Sequence, residues 1–93
     1  MSRLRVYTVP NCIDCAAVMH LLSEAGFEYD EIDISALPNA REALSLLSGY
    51  MSVPQVFFHN VFLGQVAQIR HLVQTGRLQQ MIDEDSKHKR KEK

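Results

Sequence analysis

Residues 4–15 read LRVYTVPNCIDC. Apolar and polar residues alternate over the first six positions, which predicts a β-strand. A proline and an asparagine then lead into Cys12 and Cys15, the two cysteines of the chain. Apolar residues recur at helical spacing from Ile13 to Ala25, and a glycine follows as a natural stop, so we expect a helix there. The cysteine pair therefore lies where a strand passes into a helix.

This CxxC pair is suited to reversible disulfide chemistry. Residues three apart on a helix have Cβ atoms roughly 5–6 Å apart, and a disulfide joins Cα atoms about 4.4–6.8 Å apart. Cys12 would lie at the helix start, where unpaired N–H groups and the helix dipole favour an anion. Cysteines in such settings have pKa values of about 3.5–7.5. We expect Cys12 to be the nucleophile and Cys15, one turn further on, to stay protonated and resolve mixed disulfides.

The remaining hydrophobic pattern completes an α/β order. It predicts a strand over Phe27–Ile34, a helix from Pro38 to about Ser48 with Leu44 and Leu47 inward, short strands over Gln55–His59 and Val61–Leu63, a helix over Val66–Thr75 and a last helical turn over Leu78–Ile82. The first two strands are joined by a helix and must be parallel, whereas the last two form a hairpin. The result is a four-stranded mixed sheet with helices on both faces, and chemistry at the carboxyl end of its first strand.

Size and charge suggest one small domain with a charged extension. The chain has 93 residues, of which 46% are hydrophobic, and we expect a folded domain over residues 1–82. Residues 83–93 contain no apolar residue and all of the lysines, so we expect a disordered tail. A basic run of this kind can bind nucleic acid, but a solvated end or the cut edge of a longer polypeptide is favoured. We expect no nucleic acid partner.

Compartment is indicated by the cysteines and by the absence of targeting patterns. No apolar run approaches the roughly 18 residues of a membrane span, and no export signal precedes the first strand. A CxxC pair in such a chain points to a reducing compartment and a cycling dithiol. We expect a cytoplasmic monomer that does not bind membranes.

A second segment, Met51–Phe57, reads MSVPQVF. With the CxxC motif it makes the chain resemble the glutaredoxins of the thioredoxin-fold superfamily over about residues 3–82. The matching segments are residues 6–15, Gly49 with Val53–Phe57, Leu63-Gly64 after the hairpin and the closing Gly76-Arg77-Leu78. The resemblance implies a thioredoxin-like fold, β-α-β-α-β-β-α, and thiol–disulfide oxidoreductase activity.

The resemblance also implies a glutathione site. The Val53–Pro54 bond should be cis, with the Val53 backbone pairing with glutathione, because a cis X–Pro turns the preceding polar groups sideways. Arg41 stands where the family holds the glycine-end carboxylate. The γ-glutamyl end would meet the start of the third helix, at Gln65, Val66 and Ala67, where backbone N–H groups bind anions.

Several positions depart from the family pattern. Val9 stands where many glutaredoxins have a lysine, and Ile13-Asp14 replaces Pro-Tyr between the cysteines. Gly64-Gln65 replaces a Gly-Gly pair, and Ala67 replaces an acidic or hydroxyl residue. Asp14 would oppose the helix dipole at Cys12. We expect these changes to weaken glutathione binding more than they affect the dithiol chemistry.

We therefore predict a glutaredoxin-like enzyme that reduces protein disulfides or glutathione mixed disulfides, with glutathione as co-substrate. One alternative is a glutathione-independent redoxin recycled by thioredoxin reductase. Another is a weakly catalytic binding or regulatory module of a larger protein. The four histidines could supply metal ligands, but there is no second CxxC and no HxxxH, and structural zinc needs four ligands at fixed spacing. We expect no metal, either zinc or an iron–sulfur cluster shared between chains.

Overall fold

The computed structural model describes residues 3–91, and its elements follow the predicted order with a longer final helix. The elements are β1 (Leu4–Thr8), α1 (Ile13–Glu24), β2 (Asp30–Asp33), α2 (Ala40–Ser48), β3 (Gln55–Phe58), β4 (Val61–Gly64), α3 (Val66–Gln74) and α4 (Arg77–Lys91). Strand β2 is shorter than predicted, because residues 27–29 lead into the sheet without joining its ladder.

The four strands form one mixed sheet in the order β2-β1-β3-β4. Strand β1 runs parallel to β2, with Tyr7 opposite Ile32, and antiparallel to β3, with Val6 opposite Val56. Strands β3 and β4 form an antiparallel hairpin. The predicted parallel pair and hairpin are thus confirmed, and β1 lies in the interior of the sheet with the cysteines at its carboxyl end.

One face of the sheet is covered by α1, α3 and α4. Their buried apolar residues meet the alternate residues of β1 and β3 that point to this side. The cluster consists of Leu4, Val6, Val18, Leu22, Val56, Phe58, Ile69 and Leu78. Residues four apart on α1 lie on the same side of the helix, so Val18 and Leu22 enter this cluster together.

The other face is covered by α2, and here one prediction was wrong. Ile34, Leu44 and Phe57 form the buried cluster on this side, but Leu47 is 61% exposed. Helix α2 begins at Ala40 and packs mainly over the edge strand β4. Only its Ala40–Leu44 stripe is therefore covered, and Leu47 points past the edge of the sheet.

Helix α4 is a further difference from the sequence prediction. It continues from Arg77 to Lys91, through residues expected to form a disordered tail, whereas residues 92 and 93 lie outside the described part. Polar i,i+4 pairs support it, as Gln79 donates to Asp83 and Gln80 to Glu84. Neither glycine nor proline interrupts residues 77–91, and a tertiary contact holds this polar segment to the rest of the fold.

The anchor is Asp85, which joins α4 to the sheet. Arg3 donates to Asp85 at 3.2 Å and to the Ser86 hydroxyl at 2.6 Å, and His59 in the β3–β4 turn bonds the same carboxylate at 3.2 Å. The hydrogen bond with His59, and to a smaller extent Arg3, lowers the pKa of Asp85 below its usual value. We call Arg3, His59 and Asp85 the terminal cluster.

No helix within residues 3–91 is both long enough and apolar enough to cross a membrane.

Truncating the core should be far more costly than truncating an exposed leucine. Leu22 is 0% exposed and Leu46 is 87% exposed, and both lie in helices. We expect Leu22→Ala to lower the free energy of unfolding by about 2–5 kcal/mol and Leu46→Ala to change it by less than about 0.5 kcal/mol. Urea unfolding followed by circular dichroism measures both. Equal effects would contradict the assigned core.

The stabilising effect of Asp85 should depend on pH. Because its pKa is lowered in the folded state, its contribution is present above its unfolded pKa of about 3.9 and is lost as the pH falls through the folded value. The difference in unfolding free energy between the wild type and Asp85→Asn should therefore be present at pH 7 and disappear under strongly acidic conditions. Asp83→Asn, which removes a carboxylate bonded only within α4, is the control and should show a smaller difference at pH 7.

Candidate active site

The cysteine pair forms a disulfide at the junction of β1 and α1. Cys12 is the N-cap residue of α1 and Cys15 lies in its first turn. The Cα atoms of the pair are 5.2 Å apart, which is within the range of about 4.4–6.8 Å for protein disulfides. The backbone N–H of Cys15 also donates to the Cys12 sulfur at 3.1 Å. The predicted placement of Cys12 at the helix start is therefore confirmed.

The two sulfurs differ in accessibility. Cys15 is only 1% exposed, because it faces inward from the first turn of α1, whereas Cys12 is half-buried. Asn11 has φ 59°, so the chain turns sharply before Cys12 through a left-handed conformation that asparagine tolerates. A disulfide that approaches from solvent meets Cys12 first.

The Val53–Pro54 peptide bond is cis, as the resemblance implied, and it lies just before β3. The loop before Pro54 is held in place by Gln55, whose side chain is fully buried. The Nε2 of Gln55 donates to the carbonyls of Tyr50 at 2.8 Å and Ser52 at 2.9 Å. Within residues 3–91 the backbone of Val53 makes no hydrogen bond. The loop before Pro54 is thus held by hydrogen bonds, while the backbone of Val53 is left without a partner and can pair with a bound peptide.

A groove beside this loop contains most of the predicted substrate-binding residues. We call it the proline-side groove. It is lined by Asp14, Ser52, Val53, Pro54, Gln65, Val66, Ala67 and Gln68. Since Asp14 follows Cys12 by two residues, the groove adjoins the disulfide. The resemblance did not identify Ser52 or Gln68 as groove residues; the spacing of Gln68 three residues after Gln65, typical of a helix capping box, could have indicated the latter.

Hydrogen bonds join the start of α3 to the loop before Pro54. The Gln65 side chain donates to the Ser52 carbonyl at 3.2 Å and to its hydroxyl at 3.0 Å. The Gln65 N–H donates to Gln68 Oε1 at 3.0 Å. The N–H groups of Val66 and Ala67, in the first turn of α3, have no acceptor within the helix, so like the backbone of Val53 they can bind a ligand in the groove.

Arg41 lies near this site but does not line the groove. It is exposed in the first turn of α2, and its Nη1 donates to the carbonyl of Met51 at 2.9 Å, two residues before Val53. The structure therefore brings Val53, Pro54 and the start of α3 together, while Arg41 stands beside the loop that carries Val53.

A second groove includes the cysteine pair itself, and we call it the strand-side groove. It is lined by Val9, Pro10, Asn11, Cys12, Ile13, Cys15, Ala16, Met19 and Glu31. Ile13 is 85% exposed here. Glu31, on β2, accepts a hydrogen bond from the buried Thr8 hydroxyl at 3.1 Å, which holds the carboxylate beside the end of β1.

Asp33 adds another ionised carboxylate at the carboxyl end of β2. The backbone N–H of Ser35 donates to it at 2.8 Å, and this bond, together with the Ser35 hydroxyl, lowers the pKa of Asp33 below its usual value. Among the described residues, no three His, Cys, Asp or Glu side chains are grouped so that they could hold a metal ion.

Comparisons with known proteins agree with this geometry. The family profile described as Glutaredoxin matches residues 4–63. A glutaredoxin of Neisseria meningitidis serogroup B is 36% identical over 84 residues, 89% of this chain and 99% of that protein. The solution structure of a glutaredoxin from Brucella melitensis has a TM-score of 0.74 at 34% identity and covers 87% of this chain and 88% of that one. A crystal structure of a buckwheat glutaredoxin–glutathione complex has a TM-score of 0.79 at 24% identity, covering 89% and 78%.

A thioredoxin-like fold with a paired CxxC defines a thiol–disulfide oxidoreductase. The chain belongs to the glutaredoxin family, as the profile match over residues 4–63 and the 36% identical relative show. The predicted fold class and family are thus confirmed.

Proposed function

We propose that Cys12 attacks the substrate disulfide and that Cys15 resolves the intermediate. The observation that carries the proposal is the difference between a half-buried Cys12 and a Cys15 that is 1% exposed. The Cys15 N–H, 3.1 Å from the Cys12 sulfur, is placed to stabilise a Cys12 thiolate, because hydrogen bonds to a charged acceptor are the stronger ones.

The exchange proceeds through a mixed disulfide. The Cys12 thiolate attacks one substrate sulfur, the substrate S–S bond breaks, and the first substrate thiolate leaves and takes a proton from solvent. Cys15 then loses its proton and attacks the Cys12 sulfur, which releases the second substrate thiol. Two electrons pass from the dithiol to the substrate, and the enzyme is left as the Cys12–Cys15 disulfide.

We assign the proline-side groove to the peptide part of the substrate, with glutathione as co-substrate. Val53 offers an unpaired backbone edge to an extended peptide. The free N–H groups of Val66 and Ala67 lie at a helix start, where a carboxylate is favoured, and Arg41 provides a cation beside the loop. The buckwheat relative was crystallised as a glutathione complex. In this assignment the reaction takes place in a reducing cytoplasm, in a monomer that is re-reduced by glutathione.

One observation favours the glutathione-independent alternative. Among its described lining residues, the proline-side groove has one charged side chain, the carboxylate of Asp14, and glutathione itself is an anion at neutral pH. A redoxin that receives electrons from thioredoxin reductase would not need to bind glutathione.

Replacing each cysteine separately tests the assigned roles. We expect Cys12→Ser to abolish disulfide reduction, because the nucleophile is lost. Cys15→Ser should retain reduction of a glutathione mixed disulfide, because a second glutathione can release the product. Turnover with glutathione and glutathione reductase measures both variants. Equal loss in both would contradict the glutathione route and favour a strictly dithiol mechanism, for which recycling with thioredoxin reductase is the direct assay.

Glutathione binding can be measured without turnover. We expect S-methylglutathione, which cannot exchange, to shift the amide NMR signals of Val53 and Ala67 in the oxidised protein in a saturable way. Arg41→Ala should weaken this binding about three- to tenfold if the guanidinium meets a carboxylate, since a charge-assisted hydrogen bond contributes about 1.5–3 kcal/mol when desolvated and less when exposed. Arg70→Ala, at an exposed position on α3, is the control. Absence of saturable shifts would contradict the glutathione assignment.

A further inference from the structure

We propose that Asp14 and Glu31 select disulfide substrates that carry positive charge next to the reacting sulfurs. The inference rests on the proposed function, since it assigns a substrate preference to the same dithiol. Asp14 lies between the two cysteines in sequence and lines the proline-side groove, and Glu31 lines the strand-side groove, which contains both cysteines.

The charge of the proline-side groove is set by Asp14. Its other lining residues are uncharged: Ser52, Val53, Pro54, Gln65, Val66, Ala67 and Gln68. An extended peptide that pairs with Val53 places residues flanking its cysteine in this groove. A lysine or arginine side chain there gains a carboxylate partner, whereas an acidic residue meets like charge without a neutralising side chain.

The strand-side groove also has a single carboxylate among otherwise uncharged lining residues. Glu31 is its one charged lining residue, and the Thr8 hydroxyl fixes the carboxylate at 3.1 Å. Arg41, the basic residue beside the Val53 loop, donates to the Met51 carbonyl and lines neither groove. A substrate segment that enters either groove therefore meets a carboxylate.

Electrostatic attraction of this kind acts on the encounter and on the mixed disulfide. Both acidic side chains are exposed, so each contributes modestly. At a separation of several ångströms in water a unit charge pair corresponds to about a threefold change in rate or affinity. The covalent steps are those already described, and no further reactant is required.

The test uses the pre-reduced protein in single turnover with excess small disulfides, so that no glutathione or reductase is needed. The probes are cystamine, which is cationic, dithiodiglycolate, which is anionic, and bis(2-hydroxyethyl) disulfide, which is neutral. Acid quenching and mass spectrometry follow formation of the Cys12–Cys15 disulfide. We expect the cystamine-to-dithiodiglycolate ratio of second-order rate constants to fall at least about threefold in Asp14→Asn/Glu31→Gln at low ionic strength. In 1 M salt, where the Debye length is about 3 Å, the wild type and the double variant should have nearly the same ratio of rate constants.

The ratio separates selectivity from cysteine reactivity, because any change in Cys12 nucleophilicity affects both probes alike. Glutamine at position 31 can still accept from Thr8. Glu24→Gln, ten residues further along α1 and so about 15 Å from Asp14, removes the same charge remotely and should leave the ratio unchanged. An unchanged ratio in the double variant, or an equal change in Glu24→Gln, overturns this inference alone. Failure of the wild type to be oxidised by the neutral disulfide would overturn the proposed function itself.

Discussion

The packing of α1 onto the central strand is the constraint on which the rest of the structure depends. Val18 and Leu22 are fully buried against the β1–β3 side of the sheet, and this fixes the rotation of the helix. The rotation in turn buries Cys15 and leaves Cys12 at the N-cap. The difference in exposure between two identical side chains thus originates in apolar contacts that involve neither sulfur directly.

The second half of the site depends on polar contacts instead. A buried glutamine, Gln55, holds the carbonyls that precede Pro54, and Gln65 joins the same loop to the start of α3. Buried amide groups are costly unless they are hydrogen-bonded. The Nε2 of Gln55 meets this requirement with two carbonyls, whereas its Oε1 is buried without a partner among the described residues. The backbone of Val53, which lines the proline-side groove, stays unpaired in this arrangement.

The sequence allowed most of the fold to be predicted, because its strands alternate, its helices have apolar stripes and glycines mark several ends. The exposed Leu47 and the long α4 both have physical reasons. Leu47 satisfied the helical period but lies beyond the edge of the sheet, and α4 is held by a contact between Asp85, Arg3 and His59 that joins residues far apart in sequence. Periodicity reports neither the width of the surface that a helix covers nor a long-range polar contact.

The candidate active site also combines residues found by local sequence patterns with residues brought in by long-range contacts. Cys12, Cys15 and Pro54 belong to short motifs with direct geometric meaning, so their placement followed from spacing and resemblance. Ser52 and Gln68 enter the groove through tertiary contacts, and the charge that Asp14 brings to it became visible only when α1 was placed against the loop before β3. Short motifs thus determine the position of the cysteines and the proline, whereas the groove lining depends on contacts between residues far apart in sequence.

The terminal cluster has a practical consequence. It joins the beginning of β1 to α4, whereas the cysteines follow the end of β1, and five residues of extended strand separate these points by about 17 Å. The cysteine pair and the terminal cluster therefore lie near opposite ends of β1. A surface tether or a dye attached near the terminal cluster leaves the dithiol accessible to the solution.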